Sequence, residues 1–271
     1  MTPHAESEAF QDQADKYAAY LETAEGRLRL DLAFANLQEI LPPSTASLRA
    51  LDIGGGTGAL AVRLAQLGVQ VTLLDCSAPM LNIAQSAAQA AGVADRVALR
   101  HGHASEVAKL FNSESFDVIL CHNLLEFVSD PITVLRGAAR ALRDSSAIVS
   151  VLVRNQAGEV LKAAIKVGDL ARAEYNLSSE WAQESLYGGS VRLFTPDGLR
   201  AMLKAASLEV SAERGVRVIA DYLPAQMSRD SEYERILDLE RKLGSRMEFA
   251  AVARYTQCLA RRASLMMEDR A

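Results

Sequence analysis

Cysteine and histidine are scarce in this chain of 271 residues, which has three of the former and four of the latter. The cysteines are Cys76, Cys121 and Cys258, an odd number without CxxC spacing. No two histidines have the HExxH spacing of a zinc site. We therefore expect reduced thiols, a cytoplasmic location and no bound metal.

Long apolar runs and a strong excess of positive charge are also missing. No segment stays apolar over the roughly eighteen residues of a transmembrane helix, so we expect no membrane partner. The opening MTPHAESEAFQDQ is polar and acidic, which argues against a secretory signal. The net charge of −5 has the wrong sign for a protein held on nucleic acid by its overall field, although a local basic patch is compatible with it.

What the sequence does contain is an alternation of short apolar runs with helical segments. The runs cover residues 48–54, 69–75, 96–102, 116–123 and 147–155. They are rich in Val, Ile and Leu on both faces, which is typical of strands in a parallel sheet covered by helices on both sides. Two further runs, 208–221 and 252–262, follow later in the chain.

Helical patterns flank and interrupt this alternation. Apolar residues recur at helical spacing from about Glu6 to Leu41, and Gly26 is expected to separate two helices. After residue 155 the alternation stops, and we interpret residues 156–194 as a helical lid insertion. The predicted division is an N-terminal helical cap, 1–47, followed by a domain, 48–271, that contains the lid. A charged amphipathic helix is expected at 231–244, on the chain's own sheet or on a second subunit.

A glycine-rich turn, Asp52-Ile53-Gly54-Gly55-Gly56-Thr57-Gly58, follows the first run. Glycines there allow a tight turn and a close approach of ligand to backbone, and the next helix points its N-terminus at the same place. Gly54, Gly56 and Ala59 also satisfy the G-x-G-x-x-G/A dinucleotide fingerprint. The turn alone therefore predicts a nucleotide-like cofactor without choosing which.

The second run ends at Asp75, where a carboxylate can accept hydrogen bonds from both hydroxyls of a ribose. Both NAD and S-adenosylmethionine (SAM) carry such a ribose, and the alternative is a solvated aspartate. The residues that follow, Cys76-Ser77-Ala78-Pro79-Met80-Leu81, complete a D-x-S-x-x-M-L pattern. This pattern resembles the class I SAM-dependent methyltransferases, and the resemblance covers about residues 48–156.

The resemblance implies a Rossmann-like class I methyltransferase fold, an α/β fold with a seven-stranded, mostly parallel sheet and helices on both faces. In that family the position of Met80 packs against adenine, although a methionine there fits a core role equally well. The family also holds the adenine edge with the residues after the third strand, which predicts backbone contacts from Ala104 and Ser105.

The fourth run ends at His122 and Asn123, and ligands in open α/β sheets bind outside the carboxyl ends of the strands. His122 is therefore placed at the site by topology. Three roles stay open for it: contact with the cofactor, general base catalysis, or a structural cap without ligand contact.

Four segments outside the shared core carry a closer resemblance: residues 25–29, 122–131, 154–158 and 215–223. Together they resemble the tRNA 5-carboxymethoxyuridine methyltransferases, over about residues 10–262. That family converts a carboxymethoxy group on the anticodon wobble uridine to its methyl ester. The resemblance implies that Arg29 holds the SAM carboxylate, which suits a guanidinium.

The predicted site residues fall into two groups. The predicted cofactor residues, for SAM and its product S-adenosylhomocysteine, are Arg29, Gly54, Gly55, Gly56, Asp75, Cys76, Met80, Ala104, Ser105 and His122. The predicted substrate residues are Arg154, Asn155, Arg217 and Tyr222. His122 is also the candidate catalytic base.

The methyl acceptor stays open between a small molecule and the anticodon region of a tRNA. A tRNA-binding lid would be expected to present cations. Instead, residues 168–192 carry acidic Asp169, Glu174, Glu180 and Glu184 against Arg172 and Arg192. The other basic candidates are Lys162, Lys166, Arg200 and Lys204.

The expected chemistry is methyl transfer to an oxygen of the acceptor, with a carboxylate as one option. A carboxylate is ionised at neutral pH and needs no general base, whereas a phenol or an amine would make His122 the leading base. Two alternatives to a methyltransferase are an NAD-dependent oxidoreductase, based on the dinucleotide fingerprint, and a non-catalytic protein that binds an adenosyl ligand.

Overall fold

The computed structural model describes residues 13–183, 189–224, 227 and 230–263. The expected start of the first helix at Glu6, and Glu184 of the acidic stretch, lie outside the described residues. Within the described part of the chain, no helix is both long and apolar enough to cross a lipid bilayer. The three cysteines are free thiols, and two of them, Cys121 and Cys258, are buried.

Nine strands are present in the described residues. They are β1 (Arg49–Ile53), β2 (Gln70–Asp75), β3 (Val97–His101), β4 (Val118–His122), β5 (Ile148–Arg154), β6 (Trp181–Gln183), β7 (Ser190–Arg192), β8 (Leu208–Val216) and β9 (Tyr255–Arg262).

The helices fall before, between and after these strands. They are α1 (Ala14–Glu22), α2 (Ala24–Gln38), α3 (Ala59–Gln66), α4 (Ala78–Ala90), α5 (Val107–Leu110), α6 (Pro131–Ala141), α7 (Gln156–Leu161), α8 (Leu170–Ser178), α9 (Pro196–Ala205), α10 (Tyr233–Gly244) and α11 (Met247–Ala250). A π-helical turn (Lys162–Val167) continues α7, and 3₁₀ turns cover Ala94–Arg96, Ala104–Glu106 and Ala220–Tyr222.

Seven strands form one sheet in the order β3-β2-β1-β4-β5-β9-β8. The first five strands of this order are mutually parallel, and β9 is antiparallel to both of its neighbours. The predicted seven-stranded, mostly parallel sheet is therefore confirmed. Since parallel strands have their carboxyl ends at one edge, the residues that follow β1, β2, β4 and β5 meet there.

Both faces of the sheet are buried, as the apolar runs predicted. Leu51 and Ile119 pack on one face with α6 and α9, whereas Ala50 and Leu120 pack on the other with α3 and α4. Side-chain caps begin the two helices on the first of these faces. The Asp130 side chain accepts from the backbone of Thr133 at the start of α6, and Thr195 accepts from Gly198 at the start of α9.

The break between the first two helices lies at Thr23 and not at Gly26. The Thr23 hydroxyl caps α2 by accepting from the Gly26 backbone N–H at 3.1 Å. Gly26 lies inside α2, where a Cβ would come 2.1 Å from the carbonyl oxygen of Tyr20. This glycine allows the two helices to approach closely instead of separating them.

Two later segments also differ from their sequence patterns. The run 208–221 is extended only to Val216, because Arg217 has a left-handed backbone with φ 61° and begins a turn. The segment 156–194 is helical through Ser178 but then forms the two-stranded ribbon of β6 and β7, which the sequence did not predict. Helix α10 packs against β8 of its own sheet.

Candidate active site

A cavity of about 450 Å³ opens at the carboxyl edge of the parallel strands. One part of its wall comes from the turns after β1, β2 and β3 and includes Gly54, Asp75 and Ala104. The other part comes from β5, the π-helical turn and the segments beside β8 and β9. It is cationic and contains Arg154, Lys162, Lys166, Arg217 and Arg254. We call these two parts the glycine-turn half and the cationic half.

The glycine turn is shaped by left-handed backbone at Gly54 and Gly56, with φ of 67° and 53°. The Gly54 N–H donates to the Leu74 carbonyl at 2.7 Å, which ties the turn to β2. Gly54 and Gly56 line the cavity, but Gly55 does not face the same space. A Cβ on Gly55 would lie 2.8 Å from the Asp52 carboxylate, so this glycine is required by packing behind the turn.

Asp75 lies beside the glycine turn at the end of β2. Its carboxylate accepts hydrogen bonds from the backbone of Gly56 at 2.9 Å and of Ser77 at 2.8 Å. Burial raises the pKa of Asp75, and these two amides oppose that effect. The carboxylate is thereby fixed in one orientation on the cavity wall, as recognition of a ribose requires.

The other residues predicted around the adenosyl group divide into two sets. Cys76, Met80 and Ala104 line the glycine-turn half. Ser105 is exposed and is not part of the cavity wall. Any contact of Ser105 with the adenine is therefore limited to its backbone in the 3₁₀ turn. Ala104, in contrast, lies directly at the cavity.

Arg29 projects from α2 between the two halves and is 5% exposed. Its Nη2 donates to the Tyr17 hydroxyl at 2.9 Å, and its guanidinium lies 5.1–5.7 Å from the ring centroids of Tyr17, Tyr20 and Tyr255. Burial alone would lower its pKa, but these tyrosines raise the pKa well above the usual value. Among the described residues it has no carboxylate partner, which makes it a ready receptor for a ligand carboxylate.

His122 lines the cavity at the end of β4, but it does not have the properties of a general base. Burial and the nearby Arg29 lower its pKa to about 3, so the imidazole is neutral at physiological pH and resists taking up a proton. Its Nε2 lies 2.7 Å from the Ser150 hydroxyl, which also accepts from Gln257. This arrangement favours a fixed, neutral wall residue over the predicted catalytic role.

The cationic half is built from guanidiniums that share carboxylates. Oε1 of Glu159 lies 3.1 Å from Nη1 of Arg154 and 2.6 Å from Nη1 of Arg254. Burial alone would raise the pKa of Glu159, but these two arginines outweigh burial and lower it. Arg217 pairs with Asp221 and donates from Nη1 to the Tyr20 hydroxyl at 3.1 Å.

Arg217 itself is 5% exposed, and its Nε has no hydrogen-bond partner among the described residues. A buried donor of this kind costs free energy unless a ligand satisfies it. Arg217 and Asn123 are also the two cavity residues with left-handed, non-glycine backbone, at φ 61° and 50°. Such strain concentrates at functional sites.

Two of the predicted substrate residues do not reach the cavity. Asn155 is fully buried and caps α7, and its side-chain amide donates to the carbonyls of Ala251 and Ala253 at 3.0 and 2.9 Å. Tyr222 is half-buried behind the wall, with its hydroxyl 3.5 Å from the Gly158 carbonyl. Instead, these polar groups contact the backbone of neighbouring segments, and the substrate role of both residues stays a prediction.

Other wall residues carried no motif in the sequence. Tyr255, which is 3% exposed, stands among Arg29, Arg217 and Arg254, and Arg254 directly precedes it in the chain. An arginine within an otherwise apolar run is the signal that would have indicated Arg254, and Arg217 lies in such a run as well. Tyr20 had no such signal, because it is one of several apolar positions of a helix.

The comparisons with known proteins agree with this geometry. A family model described as a methyltransferase domain matches residues 51–150. The SAM-dependent methyltransferase of Thermotoga maritima has the same fold, with a TM-score of 0.64 and 16% identity over 94% of this chain and 99% of that one. The fold and the matched family model therefore define the class, which is that of the class I SAM-dependent methyltransferases.

Two relatives narrow the family. The chain is 30% identical to the tRNA 5-carboxymethoxyuridine methyltransferase of Escherichia coli K12, over 93% of this chain and 95% of that protein. It is 31% identical to the ubiquinone biosynthesis O-methyltransferase of Ruegeria pomeroyi, over 63% of each protein. The chain belongs to the family of SAM-dependent methyltransferases that includes the E. coli enzyme, and SAM is its methyl donor.

Proposed function

We propose that this enzyme transfers the methyl group of SAM to a carboxylate oxygen, and that the acceptor is a carboxymethoxyuridine in the anticodon of a tRNA. The observation that carries the proposal is the buried Nε of Arg217, a donor without a partner among the described residues, in a wall of guanidiniums. The relative from E. coli, which is similar over nearly its whole length, is named for this acceptor.

The glycine-turn half fits SAM. We propose that Arg29 binds its carboxylate, that Asp75 binds its ribose, and that the adenine lies against Met80 and Ala104. A buried guanidinium without a carboxylate of its own is matched by the carboxylate of an amino acid. Cys76, Gly54 and Gly56 complete this wall, and His122 lies opposite them.

When bound, SAM supplies an electrophilic methyl group on its sulfonium. The residues of the chain then have to orient the acceptor and exclude water. Arg217 orients the acceptor carboxylate through Nε, while Asp221 and Tyr20 fix its other two nitrogens. A carboxylate with a pKa of about 4 is already ionised, so no residue has to remove a proton. The low pKa of His122 is compatible with this chemistry.

The segment 156–194 completes the proposal. It contributes Lys162 and Lys166 to the cavity wall, and the Gln156 side chain donates to the Ser179 carbonyl within it at 2.9 Å. We propose that it acts as a lid on the domain formed by residues 48–271 and that residues 1–47 form a helical cap on the other side. The proposed location is the cytoplasm, where tRNA is modified.

The test is methyl transfer from SAM with a tritiated methyl group. We expect label in tRNA that contains carboxymethoxyuridine, none in tRNA that lacks it, and release of the label as methanol by mild alkali, because esters are base-labile. Arg217→Gln should lower kcat/KM for this tRNA at least about tenfold, through the loss of charged hydrogen bonds, without a matching loss of S-adenosylhomocysteine affinity.

Arg235→Gln is the matched control, since Arg235 is exposed and pairs with Glu232 away from the cavity. Transfer to a small molecule but not to tRNA would overturn the proposed acceptor. Alkali-stable label would overturn methyl ester formation.

A further inference from the structure

Two lysines lie at the outer end of the cationic half. Lys162 and Lys166 both stand on the π-helical turn and both line the cavity. The Lys166 side chain is 40% exposed, whereas the Arg217 side chain is 5% exposed and that of Arg254 6%. Lys166 therefore lies nearer to solvent than these two arginines, and Lys162 is partly buried. Turns of π-helix are rare and occur mostly at functional sites.

Lys162 has no counter-ion of its own. Its ammonium makes no hydrogen bond or ion pair with any residue that the structure describes. Burial, and then the neighbouring Arg254, lower its pKa, and Arg154 acts in the same direction. The Glu159 carboxylate opposes this lowering of the Lys162 pKa, but it already bridges those two arginines. A half-buried ammonium beside two guanidiniums is unfavourable unless an anion joins it.

Lys166 is in a similar position. Its only ion pair within the described residues is with Asp221, at the long distance of 3.4 Å. Asp221 is also the partner of the buried Arg217. One carboxylate therefore serves two cations, and the more exposed of the two, Lys166, is free to turn towards a ligand at the mouth.

We infer that the acceptor carries a second anion, a phosphate group, and that Lys162 and Lys166 bind it while Arg217 holds the carboxylate deeper in the cavity. This inference rests on the proposed function. A nucleotide suits the arrangement, because its base can enter with the reactive group first while its sugar and phosphate stay at the mouth. Lysine binds phosphate as a point charge and needs no fixed fork geometry.

The test is calorimetry on the complex of the enzyme with S-adenosylhomocysteine. The probes are 5-carboxymethoxyuridine and its 3′- and 5′-monophosphates at one ionic strength. We expect one of the two monophosphates to bind roughly tenfold more tightly than the nucleoside, as for a charged hydrogen bond. The preferred ester identifies which phosphate of an RNA chain occupies the mouth.

In the double variant Lys162→Gln, Lys166→Gln, the ratio of nucleoside to nucleotide Kd should fall close to one. Lys109→Gln, at an exposed lysine of α5 that does not line the cavity, should keep the wild-type ratio. Equal Kd values for nucleoside and nucleotides in the wild type, or a ratio that survives the double substitution, would overturn the inference.

The two proposals fail in different ways. Methyl ester formation on carboxymethoxyuridine together with equal Kd values would contradict the phosphate site alone. A phosphate-dependent ratio that the lysine variants abolish, without any methyl ester formed, would support the phosphate site and contradict the proposed function.

Discussion

Tyr255 is the residue on which most charges of the cationic half converge. Burial raises the pKa of its phenol, but Arg154, Arg29, Arg254 and Arg217 outweigh burial and lower the pKa to about 7. The pKa of the neighbouring Tyr20 is raised instead, by burial and by Tyr255. A phenolate at Tyr255 would serve as an internal counter-ion for the arginines.

This pKa gives a pH dependence with a definite sign. The folded-state pKa is about 7 and that of an unfolded tyrosine about 10, so ionisation stabilises the fold as the pH rises between these values and contributes nothing below them. We expect the unfolding free energy of wild type relative to Tyr255→Phe to grow by about 1.4 kcal/mol per pH unit in this window. Urea denaturation at several pH values measures it.

The control is Tyr222→Phe, because burial raises the pKa of Tyr222 to about 12 and its phenol stays neutral in the same window. Tyrosinate absorbance should appear near neutral pH in the wild type and in Tyr222→Phe but not in Tyr255→Phe. An absorbance titration that is the same in all three proteins would contradict the assignment.

Residues of the glycine-turn half could be predicted because they are close together in the chain. Gly54 and Asp75 each follow a recognisable apolar run, so topology alone brings them to one edge. Residues of the cationic half could not be predicted in this way. Arg154 and Arg217 were predicted as substrate residues, but Tyr20, Arg254 and Tyr255 come from distant segments, and only the folded chain shows that they share a wall.

At the scale of elements, helix α10 holds the loop that carries Arg217. The buried Glu240 carboxylate of α10 accepts from the backbone N–H groups of Val218, Ile219 and Ala220 at 2.6, 2.9 and 2.7 Å. Burial raises the pKa of Glu240, and the three amides oppose that effect. Arg217, which has a left-handed backbone, directly precedes these three residues. Helix α10 therefore supports the position of Arg217 without lining the cavity itself.

Glu240→Gln tests this support. A glutamine keeps one acceptor oxygen and places an NH₂ group against backbone donors, so the unfolding free energy should fall by about 2 kcal/mol. The acceptor KM should rise, because Arg217 loses its fixed position, while S-adenosylhomocysteine affinity is retained. Chemical denaturation and steady-state kinetics measure the two effects.

Glu234→Gln is the matched control, because Glu234 lies on the same helix and is exposed. If Glu240→Gln changed neither stability nor KM, or if Glu234→Gln had the same effects, the supporting role of α10 would be contradicted.

Strands could be predicted from the sequence where burial on both faces produced continuous apolar runs, as in β4 and β5. The ribbon of β6 and β7 could not be predicted, since its strands of three residues are too short for a periodic signal. The end of β8 at Val216 was also missed, because the apolar residues 218–220 continue the run but turn away to meet Glu240.

At the scale of the whole molecule, net charge and local charge have opposite signs. The chain carries −5, yet among the residues that the structure describes six cations line the cavity against four carboxylates. The cations are Arg29, Arg154, Lys162, Lys166, Arg217 and Arg254, and the carboxylates are Glu25, Asp75, Glu126 and Asp221. Counting charge along residues 168–192 therefore gave an acidic stretch, whereas folding collects basic residues from separate segments into one wall.

The most direct test of the account is a crystal structure of the enzyme with S-adenosylhomocysteine and a carboxymethoxyuridine nucleotide. We predict the amino-acid carboxylate of S-adenosylhomocysteine on Arg29, its ribose on Asp75, and the acceptor carboxylate between its sulfur and Nε of Arg217. An acceptor carboxylate directed away from Arg217, or a neutral acceptor group beside the sulfur, would contradict the central claim that this cavity methylates an anion.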